Sequence, residues 1–297
     1  MNVSQLPIAC TDGTVLSARV LRNPSARSRL VVSHGNGLAS AGYRVFWEPL
    51  CDAFEVVLFD MRGHGASQAG AATMHSWDQF VRDLQSLIDK LTRDDARALI
   101  GAFHSQSAVT SLLHLHRHPG RAPWRALALF DPPLAAPAGH RLARLHLDEM
   151  AALSSAARRR QRSYASPEVR ARQYARAEVF GAWQGGAALD MAEATLRLDG
   201  AGAWSASCDP EREARIYEGN DHPELWRVLA APPCPIRLIA ADPARAGAQA
   251  PALVSQLAHQ LTGVGYQSIA HTGHFLQLER PRLCGDALMA FTDPLAL

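Results

Sequence analysis

Two serines stand close together in Gly101-Ala102-Phe103-His104-Ser105-Gln106-Ser107-Ala108, between an apolar run and a helix-like one. A serine hydroxyl is a poor nucleophile until a base takes its proton. A histidine supplies that base in the best-known arrangement, with an acid to orient the imidazole and stabilise its charged form. This chain holds such residues at comparable places, because each apolar run that reads as a strand is followed at once by polar residues. After "RLVV" come Ser33-His34-Gly35-Asn36-Gly37, and after "ARALIGAF" come His104-Ser105-Gln106-Ser107. After "RALALF" comes Asp131, after "RLIAA" Asp242, and after "YQSIA" His271-Thr272-Gly273-His274. Ligands of open α/β sheets bind at the carboxyl ends of the strands. A serine, two acids and a histidine, in that chain order, all fall there.

The elements that must position these residues follow from periodicity. "LPIAC" and "TVLSARVL" flank Asp12-Gly13 and read as a hairpin. Short, continuous apolar runs then alternate with helical patterns. "YRVFWEPLCDAF" has helical spacing. "SWDQFVRDLQSLIDKL" is clearly amphipathic, with Trp77, Phe80, Val81, Leu84, Leu87 and Ile88 on one face. This alternation indicates a parallel sheet covered on both faces, with the hairpin adding antiparallel edge strands. From about Leu134 to Arg227 the rhythm breaks into an Ala- and Arg-rich interval that reads as mostly helical. It lies between two sheet strands and is therefore an insertion. Its "RRRQR" run reads as a solvated helix face.

Bulk properties narrow the function classes. The 297 residues suffice for one large core plus an inserted subdomain. A formal net charge of +2 gives no field that would recruit nucleic acid or an anionic membrane. No run has the apolar length of a membrane span, and "MNVSQLPIACTDG" lacks the basic start and apolar core of a signal peptide. The five cysteines are scattered and odd in number, which suits reduced thiols and a cytoplasmic setting. His114, His116 and His118 are spaced so that, on a helix, His116 faces away from the other two, which argues against three-fold metal ligation. No metal or organic cofactor is expected.

Taken together, "VVSHGNG", "LFDMRGHGAS", "HSQSAVTSLLHLHRHPGR", "ALALFDPP" and "TGHFLQLERP" resemble the α/β-hydrolase superfamily in order and spacing, across both ends of the chain. The resemblance, aligned on Arg117-His118-Pro119, implies Ser105 rather than Ser107 as the nucleophile. The sharp nucleophile turn wants small residues two positions to either side. Ser107 meets that requirement, whereas Phe103 departs from it and must point away. His274 is the implied base, with Gly273 permitting the tight turn before it. The acid is left between two positions. Asp242 lies near the usual place, and Asp131 lies where relatives such as haloalkane dehalogenases carry theirs. The backbone N–H groups of Gln106 and, from the "HGNG" loop, Asn36 would stabilise an oxyanion. Asp60, Arg62 and His64 of "DMRGHG" look like the family's structural loop.

The expectation is an α/β fold with a mostly parallel sheet of about eight strands and helices on both faces. Residues 1–133 and 228–297 form the core, and 134–227 form an inserted helical cap whose Tyr164, Tyr174, Phe180, Trp183, Trp204 and Tyr217 are candidates to line a pocket. The function implied is a serine hydrolase that cleaves an ester, lactone or thioester of a small, partly apolar substrate. A C–C bond hydrolase with the same residues and a non-catalytic small-molecule binder are the alternatives.

Overall fold

The computed structural model describes residues 2–295 except 94, 122, 178, 179, 181, 199 and 201. The first half of the chain runs β1 (Val3–Ala9), β2 (Val15–Leu21), β3 (Ser28–Ser33), α1 (Arg44–Trp47), β4 (Glu55–Phe59), α2 (Trp77–Arg93), β5 (Ala98–His104), α3 (Gln106–Arg117) and β6 (Trp124–Phe130). Asp12 and Gly13 turn the opening hairpin. The Asp12 carboxylate accepts the Thr14 N–H at 3.1 Å, and Gly13 takes a φ of 80°. The helical spacing of "YRVFWEPLCDAF" gives less than a continuous helix. α1 has four residues, and Pro49, which has no N–H to donate, opens a separate 3-10 turn.

The eight-stranded sheet has the order β1-β2-β4-β3-β5-β6 and then the two last strands, β10 (Ile236–Ala240) and β11 (Gly265–Ser268). β1 and β2 pair antiparallel, as do β2 and β4, and every other pairing is parallel. The strand period of two sends alternate residues to opposite faces. Val31 and Val57 pack with Phe80, Leu84 and Leu113 under α2 and α3. Leu30, Val32, Val56 and Leu58 pack on the other face with Phe46 and Leu288. The helix α9 (Ala250–Thr262) joins the first face, and α11 (Pro281–Thr292) the second. Two cores are why the central strands read as unbroken apolar runs.

Between β6 and β10 come α4 (Arg141–Arg158), β7 (Ser163–Tyr164), α5 (Pro167–Arg176), α6 (Ala187–Thr195), β8 (Leu196–Leu198), β9 (Trp204–Ala206), α7 (Pro210–Glu218) and α8 (Leu225–Ala230). This interval is not only helical: β7, β9 and β8 form a small antiparallel sheet. Strands of two or three residues are too short for an alternating pattern to register. A short helix, α10 (Leu276–Glu279), follows β11. Among the described residues, no helix is long and apolar enough to cross a membrane.

Candidate active site

Ser105 occupies the turn from β5 into α3 with φ 53° and ψ −114°, a combination that non-glycine residues rarely adopt. Three contacts hold it there. The Ser105 N–H donates to the Phe130 carbonyl at 3.0 Å. The Ser107 hydroxyl accepts the His104 N–H at 3.0 Å and donates to the His104 carbonyl at 2.9 Å. The second serine of the pair is thus committed to bracing the turn. Phe103 points away, as the turn requires. Its ring meets Trp124 edge-on at 5.2 Å and covers Gly101, where an added Cβ would lie 2.4 Å from it.

His274, in the loop between β11 and α10, joins two of the candidates. Its Nε2 lies 3.0 Å from Ser105 Oγ, and its Nδ1 lies 2.7 Å from Asp131 Oδ2. An ionised carboxylate only accepts, so Nδ1 carries the proton and Nε2 presents its lone pair to the serine. Asp131 sits just past β6 with φ 45° and is fully buried. Its other oxygen accepts the Ala241 N–H at 2.9 Å. Asp242 is turned to different work. It accepts the N–H groups of Ala244 and His271 at 2.9 and 2.8 Å, which hold its carboxyl below the usual range. The structure therefore brings Ser105, His274 and Asp131 together and leaves Asp242 in a turn.

Asn36 follows Gly35 in the loop after β3. An added Cβ at Gly35 would lie 3.1 Å from Ser105 Cβ, so glycine allows this loop to approach the serine. Among the described residues, nothing accepts from the backbone N–H groups of Asn36 and Gln106. The Asn36 side chain donates to the Glu213 carbonyl at 2.9 Å. The "DMRGHG" loop supports this region. Asp60 accepts from Ser40, His64 Nε2 accepts the Gly37 N–H at 3.1 Å, and Arg62 is buried between Asp12 and Asp83.

His104 has a role that the sequence did not reveal. It is fully buried, and its Nε2 lies 2.9 Å from the His274 carbonyl. A carbonyl only accepts, so Nε2 holds the proton and Nδ1 accepts from the Tyr43 hydroxyl at 2.7 Å. That hydroxyl in turn accepts the Gly35 N–H at 3.3 Å. Burial, aided by nearby His274, pushes the His104 pKa well below its ordinary value. One neutral imidazole therefore ties the nucleophile's turn, the His274 loop and the Gly35 loop to each other. The only sequence signal was a histidine before the candidate serine, and its partners lie 61 and 170 residues away.

Ser105 and His274 open into a cavity of about 410 Å³. Tyr164, Tyr174, Phe180 and Tyr217 line it. Trp183 instead packs against Tyr174, Phe180 and Phe275, and Trp204 lies in the small sheet. The "RRRQR" run is not wholly a solvated face. Arg158 makes exposed pairs with Glu211 and Glu218, but Arg160 turns into the cavity wall and pairs with buried Glu213 at 2.5 Å.

A family described as serine aminopeptidase, S33, matches residues 24–191 of this chain. Among solved structures, E-2-(acetamidomethylene)succinate hydrolase superposes with a TM-score of 0.76 at 18% identity, covering 98% of this chain and 100% of that one. The thioesterase domain from the curacin biosynthetic pathway gives 0.72 at 17% identity, again over 98% and 100%. An esterase from Exiguobacterium antarcticum gives 0.71 at 17% identity over the same shares. At such identities the likeness is one of fold. No curated protein matches the sequence.

Proposed function

From the premise that this chain belongs to the serine aminopeptidase S33 family of α/β-hydrolases, and is therefore a hydrolase, we propose that it cleaves an ester, lactone or thioester through an acyl-enzyme on Ser105. The observation that carries this reading is the hydrogen-bonded line from Ser105 through His274 to Asp131, at 3.0 and 2.7 Å.

In this reading His274 Nε2 takes the Ser105 proton as Oγ attacks the carbonyl carbon. Asp131 holds the imidazole in the required tautomer and stabilises the imidazolium. The backbone N–H groups of Asn36 and Gln106 meet the developing oxyanion. His274 then protonates the leaving group, and a water attacks the acyl-enzyme by the same route in reverse. The mechanism calls for no metal or organic cofactor. Residues 134–227 serve as a cap over the reacting atoms, contributing Met150, Tyr164 and Phe180 to the cavity wall. The substrate is a small molecule with an apolar part, since Leu38, Met150, Leu153 and Phe275 face the same space.

The test is covalent labelling by a fluorophosphonate, read by intact mass on wild type and Ser105→Ala. One adduct on wild type alone is expected, followed by turnover within an ester, lactone and thioester panel. A wild type that is folded yet unlabelled by both large and small probes, and inert on the panel, would end the proposal.

A further inference from the structure

We propose that the cavity contains a subsite for a free carboxylate carried by the substrate, with Arg170 as its principal cation; this rests on the hydrolase reading above. Arg170 belongs to α5, is 5% exposed and lines the cavity. Its hydrogen-bond partners are neutral. Nε donates to the Tyr174 hydroxyl at 3.0 Å, and Nη1 donates to the Tyr164 hydroxyl. The guanidinium carbon lies 4.5 and 4.8 Å from the centroids of those two rings. The phenols and ring faces fix the plane of the guanidinium without supplying a counter-charge. Among the described residues, no carboxylate forms an ion pair with it.

A balancing charge close by is already engaged. Arg160 pairs with Glu213, which is fully buried, and both arginines act on the Glu213 carboxyl. Burial pushes the Glu213 carboxyl up, against the pull of Arg160 and Arg170; ionised, it leaves one positive charge at this end of the cavity, and protonated, it leaves two. An uncompensated charge held away from water is unfavourable, and a monoanionic carboxylate is the ligand that balances it. Glu149, the other acid in the wall, belongs to a separate neighbourhood. Its oxygens accept the Ala250 N–H at 2.9 and 3.0 Å, and the charges acting on it are those of His274 and Asp131. The cavity is therefore electrically two-ended, and a planar guanidinium suits a carboxylate at the basic end.

The experiment compares kcat/KM for matched anionic and neutral substrates. On the acyl side these are 4-nitrophenyl hydrogen glutarate and adipate against 4-nitrophenyl alkanoates of equal length. On the leaving side they are carboxylate-bearing phenyl acetates against neutral ones. Wild type should favour the anion by about tenfold or more on one side, chiefly through KM, and Arg170→Met should bring that ratio to about one. Calorimetric binding of the uncleaved half-esters to Ser105→Ala gives a readout independent of turnover, with the anion about tenfold tighter. It also serves if Arg170→Met does not fold. Anion-selective binding without any turnover would sustain the subsite and end the hydrolase reading. Turnover of neutral esters with no anion preference on either side, or equal binding to Ser105→Ala, would overturn the subsite alone.

Discussion

On the sheet side of the cavity, the polar groups are neutral imidazoles and single carboxylates, each fixed by partners from several loops. His34 accepts the Met61 N–H, His64 accepts the Gly37 N–H, and His104 bridges Tyr43 and the His274 carbonyl. On the side built by residues 134–227, several charges pair with charges at the surface. Arg158 with Glu211 and Glu218, and Arg162 with Asp209, are of this kind. The first arrangement favours one geometry, because His34, His64 and His104 each meet a directed partner in a buried setting. The second tolerates substitution, because exposed ion pairs contribute little. In the proposed mechanism the reaction geometry is set chiefly by the sheet loops, with the Asn36 side chain also tied to the Glu213 carbonyl of the interval above them.

The sharpest way to break the contrast is Ser105→Ala, which should lower kcat/KM by about 10³-fold or more while leaving Tm near wild type. A large loss of Tm would mean that the strained turn depends on its own hydroxyl. Next comes the pair of acids. Asp131→Asn should reduce kcat by about 10²- to 10⁴-fold, and Asp242→Asn, which alters only a turn, should leave kcat close to wild type; the reverse outcome would reassign the acid.

A smaller effect is expected at the brace. Tyr43→Phe removes the donor to His104 and the acceptor for Gly35. It should lower kcat by about 3- to 100-fold with KM nearly unchanged, and stability by about 1–3 kcal/mol. A fall in stability alone would make Tyr43 purely structural. The imidazoles also predict an acid limit. Burial pushes down His34, His64 and His104, and takes His75 to about 3 and His114 to about 4. Each is depressed in the folded chain, so below about pH 6.5 the unfolded state binds the extra protons. The stability they contribute is complete above that pH and is lost as pH falls towards 3. For His75 and His114 the loss approaches about 2 kcal/mol each at pH 5. Asp12 and Asp95, held near 2 by Arg62 and Arg97, add to it only at lower pH. A Tm that is flat from pH 7 to 5 would contradict this. Smallest of all, Arg158→Ala should leave both Tm and rate at wild-type levels, and any clear change would blur the contrast between the two sides.

The same contrast explains what could be read from the sequence. Ser105 and both aspartates were visible because a strand's apolar run ends at or just before each of them, whereas His274, six residues past β11, stood out only through the family resemblance. Choosing between Asp131 and Asp242 was beyond periodicity, since β6 and β10 are neighbours and both end in an acid. In the structure Asp131, at φ 45°, reaches the Ala241 N–H and His274, whereas Asp242 accepts from Ala244 and His271. Arg160 and Arg170 were hidden for another reason. In a charge-rich helical interval, an arginine facing a cavity has the same spacing as one facing water. Arg170 has a tyrosine four residues on, and the structure shows that its hydroxyl accepts from the Arg170 Nε.

The ordering of the sheet has a further consequence. His274 lies 169 residues from Ser105 and 143 from Asp131 along the chain, and the three reach each other from β5, from β6 and from the loop after β11. No local segment carries even two of them in register. Catalytic competence is therefore an all-or-none reporter of refolding. Helical signal can return early from local contacts, but activity should return only with the last parallel pairings, which close the longest loops and form slowest.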